Sequence, residues 1–159
     1  MKKFFAALLT AVLVLSLTAS AFAATGLGVI TTVSVKAATA DAAGSVAVTT
    51  TLCALTLDDE GKIAGVVFDV VESKATTDAD ASAESLSKNE LGESYGMKAY
   101  APSGKEYFEQ MDALEAWCIG KTVEEVVTGS ADNADLKAGC TIYIGDQLKA
   151  LQEAAANAQ

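Results

Sequence analysis

Histidine and arginine are both missing from these 159 residues, and each absence closes off chemistry. Without imidazole there is no Ser-His-Asp or Cys-His nucleophile system, no His-ligated metal and no imidazole acid–base step. Without guanidinium forks, a bound phosphate must rely on backbone donors and single lysines. Cations of any kind are scarce: 11 lysines face 21 carboxylates, for a net charge of −10. That balance argues against nucleic acid and anionic membrane surfaces as partners, since both need basic patches. The three cysteines, Cys53, Cys118 and Cys140, fit no zinc or iron–sulfur spacing. Cys53 lies in an apolar strand-like run and Cys118 follows Trp117 on a helical pattern, so both are expected as packed hydrophobes.

Long apolar runs are also few. Phe4 to Leu17 is one, preceded by Lys2 and Lys3 and followed by Ala21-Phe22-Ala23. A basic start, an apolar stretch shorter than the ~20 residues of a spanning helix, and an A-x-A site read as a secretory signal peptide over residues 1–23. No Cys adjoins the cleavage site, so the expectation is an exported chain from Ala24 with no membrane anchor. Removing residues 1–23 leaves 136 residues, the size of one domain, and the loss of Lys2 and Lys3 takes the charge to −12.

Within 24–159 the order is strands first, helices after. Ala24 to Gly28 reads as a flexible lead-in, and Val29 to Lys36, rich in β-branched residues, as a strand. Ser45 to Leu57 is a long strand whose alternation slips near Thr50, where a bulge is expected. Asp58-Asp-Glu-Gly61 is a turn, and Lys62 to Glu72 the return strand. The acidic segment Thr76 to Glu84 places Asp78, Asp80 and Ser82 like the first ligands of a calcium loop. Ala83 and Asn89 then stand where Gly and Glu are needed, so it reads as a solvated loop. Lys105 to Ile119 has helical periodicity ended by Gly120, and Thr122-Val-Glu-Glu125 is a capping box opening a short helix. The aromatics Tyr95, Tyr100, Tyr107, Phe108 and Trp117 read as core first and as the flank of a planar ring second. The fold class is α+β: an antiparallel β-meander with helices packed on one face.

The stretch Ala134-Asp-Leu-Lys-Ala-Gly-Cys-Thr141 places Asp, Gly and Thr just before a helical pattern running from Ile142 to Ala156. A small-residue turn feeding a helix is a place for phosphate, held by backbone N–H groups and the helix dipole. Three segments together resemble the extracytoplasmic FMN-binding domain found in subunits of sodium-pumping quinone oxidoreductases and in secreted flavoproteins. They are the Leu57 to Phe68 hairpin, Gly120 to Val126, and this last turn. The signature of that family is an Asp, two variable residues, then Ser/Thr-Gly-Ala-Ser/Thr, with FMN carried on the final hydroxyl. The resemblance implies Asp135 and Gly139 as turn-shaping residues and Thr141 as the site of a phosphodiester bond made by a flavin transferase. It also implies a redox partner for the carried flavin. Ala138 and Cys140 depart from the pattern, removing a hydroxyl and adding a thiol beside the acceptor. Lys137 is a candidate partner for the phosphate.

Three readings follow. One is a secreted electron carrier with FMN on Thr141. A second is a flavin-free, non-catalytic secreted module of the same fold that binds a partner or ligand elsewhere, such as on the aromatic helical face, the Asp-to-Thr turn being only a helix cap. The third is a thiol-dependent redox protein using Cys140, with its pKa lowered by Lys137 and a helix N-terminus.

Overall fold

The computed structural model describes residues 23–78 and 85–159. The expected leader up to residue 22, and the part of the acidic loop carrying Asp80, Ser82 and Ala83, lie outside the described residues. Strands β1 (Ala24–Lys36), β2 (Ser45–Leu57) and β3 (Ile63–Thr76) form an antiparallel sheet in the order β1-β2-β3. Helices follow as α1 (Lys88–Leu91), α2 (Tyr107–Cys118), α3 (Val123–Gly129), α4 (Ala134–Gly139) and α5 (Gly145–Ala156), with two 3-10 turns between α1 and α2. The architecture is α+β, a β-meander with helices on one face. No helix among the described residues is long and apolar enough to cross a membrane.

The hairpin forms as its residues dictate. Asp58 Oδ1 accepts from the amides of Glu60 and Lys62, and Gly61 takes the left-handed backbone (φ 75°) that closes the turn. Two details of the sheet differ from the sequence reading. Thr50 pairs regularly with Thr31 and Val71, and the register shift lies instead at Thr56/Leu57, against β3. Skipping one residue there lets Gly65 face Thr56 and Ile63 face Leu57, next to the turn. Residues 24–28 are not a lead-in either, because Ala24 already pairs with Leu57 and β1 runs unbroken to Lys36.

The glycines that suggested flexibility serve close packing. A Cβ on Gly28 would lie 1.8 Å from the Ala150 carbonyl oxygen, and one on Gly26 1.9 Å from that of Ala154. The backbone of α5 therefore rests directly on β1, where only hydrogen fits. The core lies between the sheet and the helices: Cys53, Leu55, Phe68 and Val70 meet Met111, Leu114 and Cys118 of α2 and Ala150, Leu151 and Ala154 of α5. Cys53 and Cys118 are fully buried, as apolar packing predicts.

Both sheet edges are partly closed by side chains. On β1, Val29 N–H donates to Glu153, the Leu27 carbonyl accepts from Asn157, and Thr25 exchanges backbone bonds with Gln159. On β3, Phe68 N–H donates to Glu115 Oε1 (2.8 Å) and its carbonyl accepts from Asn89. Edge backbone groups that would otherwise face open solvent are thereby paired.

Candidate functional site

The stretch singled out in the sequence does not form an open turn. Ala134–Gly139 is itself helical, capped by Asn133, whose side chain accepts from Leu136 N–H (2.9 Å). Helix propensity in Ala-Asp-Leu-Lys-Ala, joined to this Asn cap, wins over the loop character of Gly139. Residues 140–144 then connect α4 to α5, whose N-cap is Ile144 with no side-chain cap bond. Neither Asp135 nor Thr141 is an N-cap, so the reading of this motif as a helix cap is corrected. Asp135 sits exposed in the first turn of α4.

Gly139 and Cys140 face inward. A Cβ on Gly139 would stand 2.6 Å from that of Ala113, so this glycine lets α4 seat against α2. Cys140 is buried, its N–H donating to the Leu136 carbonyl at 2.7 Å. Burial raises the Cys140 thiol pKa above its ordinary value, against smaller opposing pulls from the Ile142 backbone and Lys105. Lys137 does not act on it. That lysine is exposed and lies 3.6 Å from Asp132. A buried thiol held protonated is a poor nucleophile, which removes the basis of the thiol-redox reading.

Thr141 is exposed and held by one side chain that sequence reasoning did not reach. Gln110, fully buried on α2, accepts from Thr141 N–H (2.9 Å) and from Thr141 Oγ1 (3.1 Å) through one carboxamide oxygen. Its amide nitrogen donates to the Lys105 carbonyl (3.3 Å) and contacts Met97 Sδ. The available signal was a glutamine inside an otherwise apolar helical stripe, Tyr107, Met111, Leu114 and Cys118. Buried polar side chains are retained where they satisfy something.

Beside Thr141 opens a cavity of about 700 Å³. Its apolar wall is Leu136, Ile142, Ile144 and Leu148; Lys137 stands on its lining, and Gly145 brings the start of α5 to it. Tyr143 is 81% exposed, and its ring folds over Gly145, where a Cβ would collide with the hydroxyl. The aromatic set expected from the sequence lies elsewhere. Tyr107 is core and meets Tyr95 edge to face at 6.2 Å, while Tyr100 is exposed. None of the five lines this cavity.

No family model and no solved structure matches the chain. It is similar to the chlorophenol reductase of Desulfitobacterium hafniense, with 43% identity over 94 residues. The match takes in 48% of this chain and 28% of that reductase, so the chain spans well under half of its relative.

Proposed function

We propose that this protein is an extracytoplasmic flavin carrier in which FMN is esterified through its phosphate to Thr141. The observation that carries the reading is the Thr141 hydroxyl, exposed at an apolar cavity of about 700 Å³ and oriented by the buried Gln110. The residues present fit the group. Leu136, Ile142 and Leu148 offer walls for a flat ring, while Lys137 and the start of α5 offer charge and N–H groups for a phosphate. FMN held there would supply one- and two-electron transfer; the chain supplies attachment, orientation and a screened environment. Gln110 fixes the Thr141 hydroxyl by accepting its proton in a hydrogen bond, which leaves the oxygen lone pairs free for attack at phosphorus. In the esterification the Thr141 Oγ1–P bond would form as the bond from phosphorus to the flavin donor's leaving group breaks, with that group and the hydroxyl proton released together from the flavin transferase. The similarity to a protein named as a reductase supports a redox role. The signal-peptide pattern supports export.

The test is the intact mass of the protein taken from its host or co-produced with a flavin transferase. The expected result is a gain of one FMN less water on the peptide carrying Thr141, abolished in Thr141→Ala. An unmodified mass, with no flavin released on denaturation, overturns the reading.

A second reading, a flavin-free module that binds an apolar ligand in the same cavity, is favoured by one observation. Among the described residues, Lys137 is the one cation lining the cavity, and it already faces Asp132.

A further inference from the structure

The sheet has two faces, and the sequence treats them differently along their length. On the face toward the helices, side chains are apolar only where helices cover them: Ile30, Cys53 and Phe68 are followed outward by Thr32, Ser34 and Lys36 on β1. The opposite face changes in no such way. Leu27, Val29, Val33 and Val35 line β1 there, interrupted at mid-strand by Thr31, and are continued by Val46 on β2 and Val67 on β3; all six apolar residues are 40–71% exposed. A strand face exposed to water ordinarily alternates to polar residues, as the uncovered part of the helix-side face does here. Alternation that stays apolar beyond the reach of the helix layer marks a face built to be covered.

We propose that this face is covered by a second copy of the same chain, two sheets packing into a six-stranded sandwich. Three features point to self-association rather than to a partner of different chemistry. The first is charge. In a chain of net charge −10, the face carries one carboxylate, Asp69, which is engaged by the amides of Val70 and Asn89. Two copies meet there without the repulsion their other surfaces impose.

The second is area. Strands of 13 residues at about 3.3 Å each, three abreast at about 4.8 Å, give roughly 600 Å² per copy and about 1,200 Å² in total, the lower bound of a stable specific interface.

The third is shape. At one end of the face Ala54 and Gly65 leave a groove of about 780 Å³ between Leu27 and Val67; at the other end Val35 and Val46 project. Midway, Thr31 and Thr50 bond each other through their hydroxyls at 3.1 Å, so one hydroxyl proton at the centre is already engaged within the face. On β2, Val46 and Ala54 lie four residues either side of Thr50. A two-fold axis across the strands at Thr50 therefore sets Val46 of each copy over Ala54 of the other, filling both grooves at once.

Sedimentation of the exported protein at micromolar concentration tests this. The expected result is twice the mass of one chain, with Val33→Lys and Val35→Lys each sedimenting as a single chain with an unchanged circular-dichroism spectrum. Val35 is 71% exposed at the sheet tip, so its replacement reads the interface even if Val33→Lys misfolds. A wild-type protein of single-chain mass overturns the proposal, whether the face is bare or covered by another molecule. So does a lysine variant that remains dimeric.

Discussion

At the residue scale, three thiols and one glutamine show how burial decides chemistry. Burial pushes the thiol pKa values of Cys53 and Cys118 up from 9.0 to about 12, and their mutual proximity adds to the effect on Cys53. The neutral forms are thereby stabilised in the folded chain. Below pH 9 this costs nothing, because both folded and unfolded thiols are protonated. Between pH 9 and 12 the unfolded chain releases protons that the folded one keeps, so stability falls as pH rises. The expected loss is roughly 1.4 kcal/mol per thiol per pH unit in that window. Urea midpoints measured at rising pH should show this slope, and Cys118→Ala should roughly halve it whatever its own cost in packing, because Cys53 remains. Gln110 illustrates a different kind of burial, affordable because both ends of its carboxamide are engaged. Its place on an apolar stripe was visible in the sequence. Its partner 31 residues away was not, since nothing local to Gln110 specifies which distant hydroxyl arrives there.

At the element scale, the contact between α5 and β1 is the joint on which the helix layer sits. Gly28→Ala would press a methyl group into the Ala150 carbonyl, a backbone atom that no rotamer change can move aside. The expected cost is about 3 kcal/mol or more, since overpacking against backbone displaces the whole helix. Chemical denaturation would measure it, and a loss below about 0.5 kcal/mol, the scale of a neutral surface change, would mean that α5 does not lie where described. The start of α3 was legible for a local reason. The capping box at Thr122 and Glu125 forms as the sequence implies, Thr122 Oγ1 accepting from Glu125 N–H at 3.2 Å and Glu125 Oε2 accepting from Thr122 N–H at 2.7 Å. The same holds for Gly120, which takes the left-handed conformation (φ 77°) just past α2. Gly26 and Gly28 were misread as a flexible lead-in because a glycine required by a neighbouring helix looks, in sequence, like one required by nothing.

At the scale of the whole molecule, the sheet separates two surfaces with separate proposed roles. The Thr141 cavity belongs to the helix layer, formed around α4, the connector and α5. The apolar face proposed for dimerisation lies on the other side of the sheet. A face-to-face pair therefore leaves both cavities open at its outer sides. The consequence is measurable: Val33→Lys should halve the sedimenting mass and leave the flavin content per chain unchanged. A variant that loses flavin along with its partner would show that the two surfaces are coupled after all. The net charge of −10 fits the proposed electron carrier's encounter with a cationic redox partner, and salt titration of that encounter should then show an association that weakens as salt rises.

The sequence by itself determined what depends on a few neighbouring residues. Period-two patterning set the three strands and their meander, Asp58 to Gly61 set the hairpin, and caps and glycines set the ends of α2 and α3. The absence of His and Arg bounded the chemistry before any fold was known. Only the tertiary structure decided which face of each strand is covered, why Gly26, Gly28 and Gly139 must lack a side chain, and that Ala134–Gly139 is a capped helix packed on α2. It alone joined Gln110 to Thr141 at the edge of a cavity. The physical reason is the same in each case. Local hydrogen bonds and hydrophobic periodicity are written within a turn or two of chain, whereas close approach, burial and cavity shape arise from segments the sequence keeps far apart.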